Sequence, residues 1–469
     1  MSRIRELERR HDAEVVFGHD PEQFEAIQPG WGCELRALRL RRAARALARD
    51  RLGGPDAGGP RRRGRGRRTG LPARATRARR RRARADRHDP DLVSLGHADR
   101  VADELAADGL DVDVYDGVER EPSVEAVGEC IAFVREEMGD DGYDFYLGLG
   151  GGSCMDTAKA TRAVIANGGD VLDYVAAPTG AGEDLTESGA PLILLPTTAG
   201  TGSEISPVAI LSVPEKNIKE GISSPHVRAD AAVLDPTLTT TLPPDLTAKT
   251  AMDALGHAIE GYTTHRYDDL LRPENPADRP VYAGRTGFTE MFSEKAIDLL
   301  SSNVRRVVNN GDDIEARGAM LKGALFGAIA GLTAGASLAH AMAYPVGNNY
   351  HTYHGETIAA LTPASTLGYN VASDPPRFAK VAEMLGADTS GMSTREAADE
   401  AREEFVRLQR DLNVLPSGLN ELAGVTVDDT GALAQSTVES QQRLLRCNPR
   451  PVTKEDVEEV FQDALHNWE

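Results

Sequence analysis

The stretch FYLGLGGGSCMDTAK, residues 145–159, joins an apolar run to a glycine turn and then to a helical pattern. Its first five residues predict a buried strand, and Cys154 to Ala166 predicts a helix. The three glycines at 150–152 let the backbone approach an anion, Ser153 is placed to cap the helix, and a helix start offers free N–H groups. The stretch therefore indicates an anion site, although a turn that only connects strand to helix fits the glycines equally well.

Patterns on both sides extend this unit. Before it, His97 to Asp108 and Ser123 to Glu137 are helical and Val112 to Tyr115 is extended, which indicates βαβ units. After it, the apolar run Pro191 to Leu195 predicts a strand that ends in the loop PTTAGTGSE, residues 196–204. The hydroxyl side chains and glycines of this loop suit a wall around a ribose or phosphate, and a simple polar loop is the alternative.

Beyond the double proline at 243–244 the pattern becomes helical, from Leu246 to Tyr262. Asp253 and His257 are four residues apart in this helix, so their side chains share one face. Such a pair alone is more often a surface ion pair than a metal site. His340 and His354, however, flank an apolar stretch, and three imidazoles with one carboxylate suit Fe²⁺ or Zn²⁺. A dication held in this way would act as a Lewis acid.

The glycine motif, the threonine loop and the four metal-type residues resemble the iron-containing alcohol dehydrogenase family, from Asp89 to Leu465. The resemblance implies an α/β N-terminal Rossmann-like nucleotide-binding domain, residues 1–242, and an all-α C-terminal metal-binding domain, residues 243–469. This is the dehydroquinate synthase-like architecture. The resemblance also implies a metal-dependent oxidoreductase that transfers hydride between an alcohol or hydroxyacid and NAD or NADP.

The resemblance further implies roles for individual residues. Those that would bind NAD or NADP are Gly150, Gly151, Gly152, Ser153, Asp156, Thr197, Thr198, Thr201, Ser206 and Lys219. Those that would bind Fe²⁺ or Zn²⁺ are Asp253, His257, His340 and His354. Lys216 is a close competitor of Lys219, and the family spacing selects His354 over His351. Asp89 stands where the family places an acid that holds the adenosine ribose.

Tyr344 occupies a position at which many members of the family carry a second histidine, to which proton relay is assigned. The tyrosine instead resembles the hydroxyacid-oxoacid transhydrogenase branch, as do DYVAAP at 173–178 and the segment 275–284. We predict Tyr344 as a catalytic residue. The branch supplies an alternative function, in which a retained cofactor passes hydride from a hydroxyacid such as 4-hydroxybutyrate to 2-oxoglutarate.

The resemblance does not identify the substrate, because His340 and His354 are closer together in this chain than the corresponding histidines of the transhydrogenase branch. An acid substrate would need a cationic partner. The candidates in the segment that resembles the branch are Arg266, Arg272, Arg279 and Arg285, although each is individually more typical of a protein surface.

Residues 35–87 differ in composition from the rest of the chain, because 42 of these 53 residues are Arg, Ala, Gly or Pro and 21 are Arg. A segment without aromatic residues, Val or Ile cannot build a strand or a core. These four residue types have GC-rich codons, so a double frameshift or gene-model error is our leading hypothesis. A basic nucleic-acid-binding arm and a disordered insertion are the alternatives.

Outside that segment 32 basic residues stand against 70 acidic ones, and the 469-residue chain has a formal charge of -20 and eight lysines. An acidic, lysine-poor surface stays hydrated in concentrated salt, so we predict a halophilic protein. Four scattered cysteines and a charged start without a leader pattern indicate the cytoplasm. We expect a small alcohol or hydroxyacid as substrate, a homo-oligomer, and neither nucleic acid nor membrane as partner.

Overall fold

The computed structural model describes residues 96–119, 121–216, 218–270, 273–275, 280 and 282–468. Several features named above lie outside the described residues. They are the Arg-rich segment 35–87, the ribose acid Asp89, and two of the candidate cations, Arg272 and Arg279.

The first half of the described chain alternates helices and strands. Its elements are α1 (His97–Ala107), α2 (Val124–Met138), β1 (Tyr146–Gly150), α3 (Gly152–Asn167), α4 (Val171–Tyr174), β2 (Leu192–Pro196), β3 (Val208–Val213), β4 (Ile218–Ser223) and β5 (Ala231–Ala232). Single 3₁₀ turns are found at Pro214–Lys216, Pro225–Val227 and Pro236–Leu238. This alternation agrees with the α/β N-terminal domain expected from the sequence.

Strands β1, β2 and β5 form a parallel sheet with β2 in the middle, and β3 and β4 form a separate antiparallel hairpin. All five residues of β2 are buried, which is why the sequence of this strand is continuously apolar. The last residues of β1 and β2, Gly150 and Pro196, are paired in register. Parallel pairing therefore brings the glycine turn and the threonine loop to the same edge of the sheet.

Two local predictions in this half are wrong. Helix α3 begins at Gly152 without a side-chain cap, so Ser153 lies inside the first turn and does not cap the helix. Val112–Tyr115 forms no strand with any described strand. Val112 still packs against the apolar cluster around Val101 and Ile193, because alternation of apolar residues selects burial, whereas a strand also needs a partner.

The second half of the described chain is helical. Its elements are α5 (Pro244–Thr263), α6 (Gly287–Asn309), α7 (Ile314–Ala334), α8 (Leu338–Tyr350), α9 (His354–Leu361), α10 (Pro375–Leu385), α11 (Thr394–Leu412), α12 (Leu419–Ala423), α13 (Val427–Ser440), α14 (Gln442–Leu445) and α15 (Lys454–Asp463). A π-helical turn at Ser365–Tyr369 runs into a 3₁₀ turn at Asn370–Ala372.

Helix α5 is at the centre of this helical domain and packs against α6, α7 and α9. Its contact with α7 is unusually close. A methyl group on Gly331 of α7 would lie 2.9 Å from the carbonyl oxygen of His257 in α5. The absence of a side chain at Gly331 thus lets the backbone of α7 approach the turn of α5 that carries His257.

By length and composition, no helix among the described residues is sufficient by itself to cross a bilayer. Only Ile314–Ala334 and Leu338–Tyr350 taken together meet those criteria, and the two helices meet at a bend of 99°.

Candidate metal and cofactor site

Helix α5 presents Asp253 and His257 on a buried face, and Asp253 Oδ1 lies 3.7 Å from His257 Nδ1. His340 on α8 and His354 at the start of α9 converge on the same carboxylate. The Nε2 atom of each lies 3.6 Å from Asp253 Oδ1. The structure therefore brings the four predicted metal ligands together, and we refer to Asp253, His257, His340 and His354 as the ligand set. His351, the competitor of His354, is exposed at the end of α8.

The polar atoms at the centre of the ligand set fit a cation. Asp253 Oδ1, His257 Nδ1 and His340 Nε2 are buried and have no hydrogen-bond partner among the described residues. Leaving such atoms buried and unpaired costs about 1–3 kcal/mol each. Asp253, His257 and His340 can each place a ligand atom within 4.8 Å of the others. A divalent metal between them would offset that cost, and its preference for carboxylate and imidazole donors is met.

Glu260, two turns after Asp253 on α5, holds His340 in position. It is fully buried, and its Oε2 lies 2.5 Å from His340 Nδ1. A carboxylate only accepts, so the Nδ1 of His340 carries the hydrogen and Nε2 is the atom that faces Asp253. The same carboxylate accepts hydrogen bonds from the Ser337 N–H and hydroxyl, the Ala339 N–H and the Thr366 hydroxyl. Glu260 thus fixes both the ring and the segment that begins α8.

The electrostatics of the buried cluster favour ionised carboxylates. Burial raises the pKa of Asp253, but its attraction to His257 and to the other rings outweighs burial and holds that pKa well below its usual range. Burial likewise raises the pKa of Glu260, and the attraction of His340 outweighs it and lowers the pKa to about 2. Both groups are therefore anions at neutral pH.

The three imidazoles of the cluster differ in their pKa values. Burial lowers the pKa of His257 to about 4, so this ring is neutral at pH 7 and can donate a lone pair, and the pKa of His354 is also lowered from its usual value. Burial also lowers the pKa of His340, but the attraction of Glu260 outweighs it and raises the pKa to about 9. The proton that His340 then carries at Nε2 must leave before that atom can serve as a ligand.

One side of the cluster is open to solvent. The side chain of His354 is 42% exposed, whereas those of Asp253 and His340 are 4% and 5% exposed. The ring of Tyr344 lies on this side, with its centroid 6.2 Å from that of His354. Burial raises the pKa of Tyr344 to about 12, so its hydroxyl keeps its proton at neutral pH and suits hydrogen-bond donation. A substrate would approach between His354 and Tyr344.

The glycine turn and the threonine loop lie side by side where β1 and β2 end, the edge of a parallel sheet at which ligands bind in a cleft. A methyl group on Gly151 would lie 3.6 Å from the Thr198 side chain, and one on Gly152 would lie 3.1 Å from that of Thr201. Helix α3 begins directly after β1 at this edge, with no side chain capping its N-terminus. The cleft thus offers backbone N–H groups and hydroxyls to a phosphate or ribose.

Two residues predicted to bind the cofactor are engaged inside the protein. Asp156 accepts hydrogen bonds from the Ser203 hydroxyl at 2.6 Å and the Ile210 N–H at 3.1 Å, and it pairs with Lys159. The hydroxyl of Ser206 donates to the carbonyl of Val208. Both residues therefore brace the threonine loop against α3 and β3.

Lys159, which was not among the predicted cofactor residues, is central to this bracing. Its buried ammonium donates to Ser203 at 2.8 Å and to the carbonyl oxygen of Val208 at 3.0 Å, besides pairing with Asp156. The spacing of three residues between Asp156 and Lys159 on a helix was the available signal for this pair.

Lys219 and Lys216 lie in different places. Lys219 pairs with Glu121 at 2.7 Å, and its ammonium would be 3.9 Å from a methyl group on Gly347 of α8. Lys216 instead donates to the carbonyl oxygens of Pro178 and Thr179 on the surface. Of the two competitors, Lys219 is the lysine beside the metal-binding helices.

The threonine loop contacts helix α5, which carries Asp253 and His257. A methyl group on Gly200 would lie 2.9 Å from the Cβ of Thr250, which is one turn before Asp253 on α5. The cofactor cleft and the ligand set are therefore adjacent, with the loop of the α/β domain in contact with the helix that carries two of the predicted ligands.

Of the four candidate cations for an acid substrate, the two that the structure describes, Arg266 and Arg285, are engaged elsewhere. Arg266 pairs with Asp268 at 2.7 Å on the surface, and Arg285 pairs with Glu290 and Asp374. Neither guanidinium faces the ligand set through these pairs.

Comparison with known proteins places this geometry in a family. Residues 63–236 match the family described as iron-containing alcohol dehydrogenase, and residues 281–465 match the C-terminal domain of the Fe-containing alcohol dehydrogenase family. A long-chain-alcohol dehydrogenase 1 from Geobacillus thermodenitrificans is 35% identical over 377 residues, which cover 80% of this chain and 88% of that protein.

Two further similarities point in the same direction. A mitochondrial hydroxyacid-oxoacid transhydrogenase from Xenopus tropicalis is 32% identical over 392 residues, covering 80% of this chain and 83% of that protein. The crystal structure of a 1,3-propanediol oxidoreductase is 30% identical and superposes with a TM-score of 0.71, covering 80% of this chain and 90% of that one. This chain therefore belongs to the iron-containing alcohol dehydrogenase family and is an oxidoreductase that acts on alcohols.

Proposed function

We propose that the protein transfers hydride between a small alcohol or hydroxyacid and NAD or NADP, with Fe²⁺ or Zn²⁺ held by the ligand set. The observation that carries this proposal is the convergence of three buried, unpaired ligand atoms next to a loop that lines the nucleotide cleft. When bound, the dication would supply Lewis acidity that lowers the pKa of a substrate hydroxyl.

The side chains of the protein would position the reactants and control the proton. The glycine turn and the N-terminus of α3 would hold the pyrophosphate, and the threonine loop would hold the nicotinamide half of the cofactor against α5. Tyr344 would donate a hydrogen bond to the substrate oxygen from the open side of the site. The hydride comes from or goes to the cofactor, so no protein nucleophile is required.

Metal analysis of anaerobically purified protein tests this proposal. We expect wild-type protein to retain Fe²⁺ or Zn²⁺ and to oxidise an alcohol with added NAD⁺ or NADP⁺. Asp253→Asn should lose both the metal and turnover, because it removes the negative charge of the carboxylate on which the three imidazoles converge. The control Asp298→Asn changes an exposed acid paired with Lys295 and should retain both. Full metal content and turnover in Asp253→Asn would contradict the proposal.

The alternative function is a transhydrogenase with a retained cofactor, and the 32% identity to the Xenopus tropicalis transhydrogenase favours keeping it. Both functions use the same site. They differ in whether turnover of a hydroxyacid needs added NAD(P)⁺ or only an oxoacid such as 2-oxoglutarate. Turnover by dialysed protein with an oxoacid and no added nucleotide would establish the transhydrogenase.

A further inference from the structure

The open side of the ligand set is bounded by elements from both domains. Helix α8 carries His340 and Tyr344 and packs against the short helix α14 and against β4 of the α/β domain. Tyr344 joins a small apolar cluster with Tyr282 and with Leu444 of α14. The residues of α14 are therefore neighbours of the side on which a substrate would enter.

Arg443 on α14 places its guanidinium over the ring of Tyr282, 5.3 Å from the ring centroid. Tyr282 is buried, whereas Arg443 is exposed. The charge of Arg443 also reaches Tyr344, where its attraction opposes the rise in the pKa of the phenol that burial causes. A cation thus lies over Tyr282 in the apolar cluster that Tyr344 joins, and Tyr344 borders His354.

The guanidinium of Arg443 forms neither an ion pair nor a side-chain hydrogen bond with any described residue. Glu220 on β4 is near enough to attract it electrostatically, yet the Glu220 carboxylate accepts from the Gly221 N–H and makes no ion pair. Arg285, just before α6, and Arg377 on α10 differ from Arg443, because both are paired with Glu290. The chain is rich in acids, yet Arg443 pairs with none of those that the structure describes. Its N–H donors are therefore available to an anionic ligand.

We propose that Arg443 binds the carboxylate of a hydroxyacid substrate whose hydroxyl lies between His354 and Tyr344. The planar guanidinium presents paired N–H donors that match both oxygens of a carboxylate, and stacking on Tyr282 limits its orientations. Arg443 thereby takes the role for which the sequence offered Arg266, Arg272, Arg279 and Arg285. The inference rests on the proposed function and narrows its substrate class to alcohols that carry a carboxylate.

Paired kinetics with an acid and a neutral substrate test this inference. The kcat/KM for 4-hydroxybutyrate and for 1-butanol would be measured with wild type, Arg443→Gln, Arg443→Lys and the control Arg410→Gln. We expect Arg443→Gln to lower kcat/KM for 4-hydroxybutyrate by about 10- to 100-fold, as for loss of a charge-assisted hydrogen bond, and to change that for 1-butanol less than about 2-fold. Arg443→Lys should have a kcat/KM for 4-hydroxybutyrate between those of wild type and Arg443→Gln, because it keeps the charge and loses the paired donors.

The control and a binding measurement separate the outcomes. Arg410 is exposed on α11 beside Arg407 and Asp411, so its replacement should leave both substrates unaffected. Equal losses on both substrates, or no loss on either, would overturn the role of Arg443. So would wild-type protein that oxidises 1-butanol and not 4-hydroxybutyrate, and the proposed function would then still stand.

If the metal-loaded wild type oxidises neither substrate, the proposed function fails while the carboxylate site can still be judged. Calorimetric titration of wild type and Arg443→Gln with 4-hydroxybutyrate then decides. Binding that is weakened about 10-fold or more by the substitution supports the carboxylate site. Equal affinity in the two proteins, or no binding to wild type, overturns it.

Discussion

Glu260 determines which nitrogen of His340 faces Asp253, and a single substitution can isolate this effect. In Glu260→Gln one carboxylate oxygen becomes an NH₂ group. Oε1 accepts from the Ala339 N–H and Oε2 accepts from the Ser337 N–H and from His340, so the amide NH₂ must oppose at least one N–H donor in either orientation. We expect metal affinity to fall about 10- to 100-fold, which competition with a chelator would measure.

A matched control distinguishes this effect from general damage to the helical domain. Glu294 accepts a hydrogen bond from Tyr262 of α5 at 3.0 Å but does not contact the ligand set through it. Glu294→Gln should leave metal affinity unchanged. If Glu260→Gln binds the metal as tightly as wild type does, Glu260 has only a structural role at the start of α8.

Helices α5 and α7 approach each other closely at Gly331, where the effect of this packing on the site can be tested. A methyl group at this position would be 2.9 Å from the carbonyl oxygen and 3.1 Å from the Cβ of His257. We expect Gly331→Ala to displace His257, to lower the free energy of unfolding by about 1–3 kcal/mol and to weaken metal binding. Thermal unfolding and metal titration would measure the two effects.

Gly318 provides the comparison within the same helix. A methyl group on Gly318 would meet nothing closer than 3.9 Å, at the ring of Pro236. Gly318→Ala should therefore leave metal binding unchanged and stabilise the protein by up to about 1 kcal/mol, the difference in helix propensity. If Gly331→Ala and Gly318→Ala have the same stability and the same metal affinity, the close approach of α7 does not constrain the position of His257.

The sequence predicts those parts of the site whose functional residues lie within a single recognisable local pattern. The β1 strand and its glycine turn follow from apolar residues next to glycines, and the positions of Asp253 and His257 follow from helical periodicity. The prediction that His340 and His354 lie beside that helix depended on family resemblance, because no local rule relates residues more than 80 positions apart. The cap predicted at Ser153 failed because a helix can start on a glycine whose N–H groups are left for a ligand.

Other contributors to the site could not have been found from local sequence. Glu260 continues the face of Asp253 and His257 at helical spacing, which was a usable signal, but an acid at that position is ordinarily solvated. Arg443 gave no signal at all. Its place beside Tyr344 depends on how α14 packs against α8, and its short helix has no distinctive pattern.

The whole molecule carries a formal charge of -20, and we propose that it is a cytoplasmic protein of a high-salt cell. Repulsion between like charges opposes compaction, and added salt screens it. The melting temperature should therefore rise as KCl is increased from about 0.1 M to about 2 M, where the Debye length falls below roughly 3 Å. Differential scanning calorimetry would measure the shift, and a melting temperature and activity independent of KCl would count against adaptation to salt.

The close contact between Gly200 and Thr250 has a thermodynamic consequence. A nucleotide that orders the threonine loop would also steady the turn of α5 just before Asp253, and a cation that draws in Asp253 would steady the loop from the other side. Binding free energies around such a closed cycle are reciprocal, so the factor by which the ion tightens NAD(P)⁺ must equal the factor by which NAD(P)⁺ tightens the ion. Nucleotide dissociation constants with and without the ion would reveal this cooperativity, and identical constants would mean that the two ligands bind independently despite sharing one support.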